Sequence, residues 1–199
     1  MNAPVPIDTS ESRVKRLREA THSAHERLDN RIMSAEPFAS RERFGIFLKI
    51  QHGFHRDIDA LYRHPVLDKL LPDLESRRRL DQIEQDLTDI GIAVPALAEA
   101  PVFGPGEVDV PTAFGWLYVA EGSNLGAAFL IKHAAVLGLN ETFGARHLAG
   151  HPDGRGLHWR TFTAALDALT LTPDEERRAS EGAVAAFRRV HGLVEEMFG

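Results

Sequence analysis

There is no cysteine among the 199 residues. Disulfides, iron–sulfur clusters, thiolate ligands and a cysteine nucleophile are therefore all excluded. Basic excess is also missing: the formal net charge is −6, where a nucleic-acid-binding surface calls for a basic face. No run is apolar enough to suggest a membrane span. The longest candidate, Ala113 to Leu139, is broken by Glu121, Ser123, Asn124, Lys132 and His133, whereas a span needs about 20 mostly apolar residues. The opening MNAPVPIDTSESR carries no apolar export-signal core, so the expected location is the cytoplasm. No segment alternates apolar and polar residues at strand spacing for more than a few positions, and no repeat is visible.

Apolar residues instead recur at helical spacing almost throughout. A first helix over about 10–32 carries Val14, Leu17, Ala24, Leu28 and Ile32 as one stripe, with His25 inside it. A second covers about 40–63 and a third about 74–90. Gly91 to Pro111 holds four prolines and further glycines, and reads as a long irregular connection. A glycine-bearing helix follows over about 112–138, then a turn-rich AGHPDGRG and a helix marked by Trp159, Phe162 and Leu166. The last helix opens on Thr172-Pro173-Asp174-Glu175, a capping box with proline in its first turn. The expectation is an all-α, single-domain bundle over 10–199, preceded by a flexible segment over 1–9.

Catalytic signatures of the familiar kinds are missing. There is no G-x-S-x-G elbow, Walker loop or G-x-G-x-x-G after a strand. Glu19 and His22 form one E-x-x-H pair, but no second is present, so a di-iron bundle fails on ligand count. A mononuclear metal site at His22, His25 or the His52/His55 pair stays open beside the plainer reading of partly exposed helical histidines. His25 has two readings of its own: a core histidine satisfied by Asp29 one turn on, or an axial metal ligand whose second ring nitrogen is held by an acceptor. Gly122 and Gly126 lie one turn apart inside an apolar helix, each costing about 1 kcal/mol relative to alanine. They serve either close helix packing or a bend that lets a large flat ligand approach bare backbone; Ser123 and Asn124 between them favour the second.

Taken together, THSAHERLD (21–29), GWLYVAEGSNLGAAFL (115–130) and FGARHL (143–148) resemble the heme oxygenases, most closely the bacterial type associated with iron acquisition. The resemblance implies an all-helical fold holding heme between the first helix and a kinked distal helix. It implies that His25 is the axial iron ligand and that Gly122, Ser123 and Gly126 border the catalytic, oxygen-binding face. Arg18 matches a cation near the heme propionates; Tyr118, Lys132, His133 and Arg188 are further candidates for contact with heme. Heme would be both cofactor and substrate, cleaved at a meso carbon with O2 to biliverdin, carbon monoxide and ferrous iron. With no flavin or NAD signature, electrons would come from a ferredoxin or ferredoxin-reductase type of donor. A monomer is favoured. Two departures stand out. Asp29 occupies a position where the family commonly has glutamate, so it is expected to reach the imidazole through water. The distal aspartate of the mammalian type has no counterpart in GSNLG. The rivals are a heme carrier without turnover and a structural helical adaptor.

Overall fold

The computed structural model describes residues 12–199; the segment over 1–9 expected to be flexible lies outside them. Seven α-helices are found: α1 (Arg13–Ser34), α2 (Arg41–Tyr62), α3 (Pro65–Leu70), α4 (Leu80–Asp89), α5 (Val110–Val136), α6 (Arg155–Ala168) and α7 (Pro173–Phe198). Two short 3-10 turns, Glu75–Arg77 and Arg146–Leu148, complete the order. The protein is all-α, with only isolated bridges at Asn140 among the described residues. Helix starts follow local chemistry. Ser12 and Ser40 accept backbone N–H bonds at the heads of α1 and α2, and Thr172 and Glu175 close the capping box of α7. α5 begins slightly before its expected start because Pro111 sits in the first turn, where its missing N–H costs nothing.

The segment expected as one helix over 74–90 is instead a 3-10 turn, a break and α4. Three consecutive arginines cause the break. Arg77 reaches Glu121, Arg78 reaches Asp59 and Asp81, and Arg79 donates to the carbonyl of His147. Those partners lie on separate elements, and their pull overrides the weak local preference for helix.

α7 organises the molecule. It runs parallel to α1, to which Arg13–Glu176 ties it at one end and Arg31–Glu195 at the other. α2 runs antiparallel to both α7 and α5, as Asp57–Arg189 and Arg43 over Phe198 show for one, and Tyr62–Glu121 and Arg41 to the Leu137 carbonyl for the other. Hence α1, α5 and α7 advance in one direction. α7 packs closely on α5 and on α1, while α1 and α5 hardly touch each other. Backbones of α5 and α7 come so near that a Cβ on Gly115 would lie 2.1 Å from the Ala179 carbonyl oxygen, and one on Gly182 2.4 Å from that of Thr112.

Candidate functional site

α1 turns Leu17, Thr21 and Leu28 into the core, and the Thr21 hydroxyl donates back to the Leu17 carbonyl at 2.7 Å. His25 is not part of that buried stripe. Its side chain is 59% exposed, which corrects the expectation of a histidine inside the apolar face. The reason is angular: positions 17, 21, 24 and 28 point inward within a sector of about 60°, and position 25 lies roughly 70° from its centre, outside that sector. Its ring meets only the edge of Phe187, 5.6 Å away at 83°. Asp29 comes directly toward it, Oδ2 standing 3.5 Å from Nε2, too long for a good hydrogen bond. His22 pairs likewise with Glu26 on the outer surface, and His52 with Glu84. Among the described residues no cluster of three or more histidine or acidic side chains could hold a bare metal ion, so the mononuclear alternatives lose their support.

On α5 the two glycines singled out by sequence are not the packing glycines. A Cβ on Gly126 would meet nothing within 4 Å, and one on Gly122 only the rim of Trp159 at 3.5 Å. The close approach of helices happens at Gly115 and Gly182 instead. The helix is unbroken through this run, and the Ser123 hydroxyl bonds back to the Ala120 carbonyl at 2.7 Å, a contact that tends to bend helices. Beyond Glu121 the apolar helix surfaces: Leu125 is 42% and Phe129 54% exposed. An apolar helix left bare along one side marks a face for an apolar partner.

The charge of Arg18 on α1 acts on Tyr118 of α5, so the two lie within electrostatic range of each other. Burial is the larger influence and pushes the Tyr118 phenol up. Both helices advance in one direction; His25 follows Arg18 by seven residues, about 10 Å along α1, and Gly122 and Gly126 follow Tyr118 along α5 by four and eight residues. Arg188 is exposed next to Phe187. Lys132 and His133 do not join this group. Lys132 is exposed about 21 Å along α5 from Tyr118, and His133 is held between Phe38 and Phe129 at 5.5 and 4.3 Å.

Behind α5 lies a polar layer that sequence reasoning missed. Glu121, only 3% exposed, accepts from Tyr62 at 2.8 Å and from Arg77 at 2.9 Å. Burial pushes its carboxyl up against the pull of Arg77. Nearby, His147 Nδ1 lies 2.8 Å from Asp86, and burial, reinforced by Arg79 and the neighbouring histidines, holds His55 down to about 3. The sequence marks its members only singly: Glu121 as a charge within the apolar run, His55 in the His52/His55 pair, and His147 in FGARHL. A separate groove of about 1000 Å³, lined by Arg56, Arg63, His64, Phe103 and Val110, contains none of the candidate site residues.

An exposed histidine on α1 and an uncovered glycine on α5, with both helices packed on α7, describe an all-helical protein that leaves two of its helix faces open to a partner. Residues 12–196 match the heme oxygenase family, and the chain belongs to it. It is 43% identical over 203 residues to heme oxygenase PigA of Pseudomonas aeruginosa, covering all of both chains. The NO- and CO-bound heme oxygenase of Neisseria meningitidis is 46% identical, with 94% of this chain and 92% of that one covered and a TM-score of 0.88. The heme oxygenase of Leptospira interrogans shares the fold at 17% identity, with a TM-score of 0.71 over 94% of this chain and all of that one. The protein is accordingly a heme-degrading enzyme rather than a carrier or adaptor.

Proposed function

We propose that His25 supplies the axial nitrogen to heme iron and that Gly122, Ser123 and Gly126 border the opposite face, where O2 reacts. The observation that carries this reading is the contrast among the glycines: Gly126 faces open space and His25 is exposed, while tight packing is served by Gly115 and Gly182. The residues fit the ring. Its apolar faces would cover Leu125, Phe129 and the Phe187 edge, removing surface that water otherwise touches at a cost of about 25 cal/mol per Å².

Bound heme supplies the iron at which oxygen is activated and the meso carbon that is oxidised. The chain's own contribution is positional. His25 would hold the iron through a ring nitrogen; Asp29, 3.5 Å from Nε2, would steady the ring once the pair closes by a few tenths of an ångström or a water joins it. Gly122 and Gly126 would leave room on the other side, and the neighbouring Glu121 is turned into the core toward Tyr62 and Arg77. Arg18 beside Tyr118 would receive the propionates at one end of the slot, with Arg188 near by; Lys132 and His133 mark the other end. Which end is used fixes the rotation of the ring, and with it the carbon attacked. Electrons would come from a separate donor of the ferredoxin or ferredoxin-reductase type. Residues 10–199 would act as one domain.

The test is reconstitution with one equivalent of hemin followed by ascorbate or a reductase under air, with chromatographic identification of the pigment. Bile pigment formation is expected. A stable hemin complex that never converts would leave a carrier. His25→Ala should lose the imidazole-ligated spectrum and regain it with added imidazole; an unchanged spectrum would move the ligand elsewhere.

A further inference from the structure

The weakest stretch of α5 has a brace that comes from outside the helix. Between Gly122 and Gly126 the carbonyl oxygen of Asn124 accepts a hydrogen bond from Arg155 Nη1 at 2.9 Å. In a helix that oxygen already faces the N–H four residues on, at Ala128, so a side-chain donor there is a second partner and draws the carbonyl outward. Insertion of a side chain at a helical carbonyl is among the recognised causes of a local bend. Glycine makes the same stretch the most compliant part of the helix.

The brace is itself held in place. Arg155 opens α6, and its Nη2 also donates to the Leu148 carbonyl. Gly150 lies against it, with the place of a Cβ only 3.4 Å from Arg155 Cγ and Nε. One turn along the same face of α6, Trp159 lies 3.5 Å from the place a Cβ on Gly122 would take, and packs against Tyr118 with ring centroids 5.6 Å apart. Arg155 and Trp159 thus grip α5 at Tyr118, Gly122 and Asn124 from the side of α6. No acid is needed for the contact, and Glu141 is the charge that favours the Arg155 cation against its partial burial.

We propose that Arg155 is a positioning residue for the reaction: through the Asn124 carbonyl it fixes the peptide groups of the Gly122–Gly126 run, and so the space above the iron. The inference rests on the reading of that run as the oxygen side. It concerns neither the axial ligand nor the propionates, so loss of the brace should separate binding from turnover.

The test uses Arg155→Ala and Arg155→Lys in the full chain. In protein without hemin, hydrogen exchange at the amides of residues 126–130 should quicken about 10-fold in R155A and by less in R155K, which keeps one donor. With hemin, R155A should bind within about 3-fold of the parent while pigment formation slows about 10-fold and the C–O stretching band of the ferrous CO complex shifts or broadens. R155K should recover part of the rate. Should R155A not fold, R155K carries the same comparison against the parent chain. Unchanged exchange overturns the brace; faster exchange with unchanged turnover and an unchanged CO band overturns its role in positioning. A parent protein that forms no pigment would overturn the functional reading instead, and the exchange measurement stands apart from that result.

Discussion

Gly126→Ala and Gly115→Ala are the same chemical change in the same helix, and the structure assigns them opposite consequences. At Gly126 a methyl would meet nothing within 4 Å. The expected effect on the hemin-free protein is the helix-propensity gain alone, about 0.5–1 kcal/mol in favour of alanine. That corresponds to a rise of roughly 1–4 °C in Tm for a chain of this size. At Gly115 the methyl would stand 2.1 Å from the Ala179 carbonyl oxygen and 2.4 Å from the Ala183 nitrogen, where ordinary contact begins near 3.4 Å. Both are backbone atoms and cannot rotate away, so α5 and α7 must part by about 1 Å. Overpacking of a core costs about 1–3 kcal/mol, and a backbone clash belongs at the top of that range, a fall of roughly 6–12 °C. Thermal unfolding followed by circular dichroism reads both values. Pigment formation should then reverse the order of damage relative to stability: G126A, the more stable protein, should lose about 10-fold or more in turnover. A G126A protein that is fully active with an unchanged product would refute the assignment of that face to oxygen. One that melts well below the parent would show that Gly126 packs after all.

Other consequences can be measured beside it. His55 is held at about 3 by burial and neighbouring cations, against an ordinary value of 6.5, so the unfolded chain takes up its proton first. Stability contributed at pH 7 is therefore lost as pH falls through 6.5 and toward 3, by about 1 kcal/mol from this residue between pH 7 and 5.5; urea unfolding of His55→Leu should show a shallower acid slope, and equal slopes would contradict the burial argument. Arg18→Glu should weaken hemin binding by roughly 5- to 10-fold, as reversal of an exposed charge pair allows, and should change the ratio of pigment isomers; unchanged affinity and product would move the propionates to the opposite end. Glu121→Leu leaves Arg77 buried at 2% exposure without its partner, a cost of about 3–5 kcal/mol; Glu121→Gln should cost clearly less, and equal denaturation midpoints for the two would show that the charge is not what matters.

Much of the helical plan is readable in the chain because it depends on near neighbours. The stripe of α1, the Thr172–Glu175 capping box and the proline-rich stretch before α5 all act over a few residues. His25 and the Gly122–Gly126 pair could be picked out for the same reason, together with the family resemblance. What escaped depends on distant partners. Arg77 and Glu121, or Arg155 and Asn124, share no local pattern, and each looks in sequence like a surface charge or a polar helix residue. Gly115 and Gly182 carry no mark that separates them from Gly122 and Gly126; only the approach of another backbone does. His25 falls within the apolar stripe of the sequence yet is exposed, because periodicity reports which face is apolar, but not how much of that face the neighbouring helix covers.

The two ties between α1 and α7 differ in kind. Arg13 and Glu176 are both about 5% exposed or less, and Arg13 also donates to the carbonyls of Leu166 and Leu169. Arg31 and Glu195, near the other end, are 26% and 49% exposed. Dissolved ions screen the second and barely touch the first. The helix that offers His25 is thus a lever with a dry pivot and a wet latch. Ionic strength can loosen the hold on α7 at Arg31, while Arg43 still clasps the carbonyls of Ala35 and Glu36 just beyond the helix end.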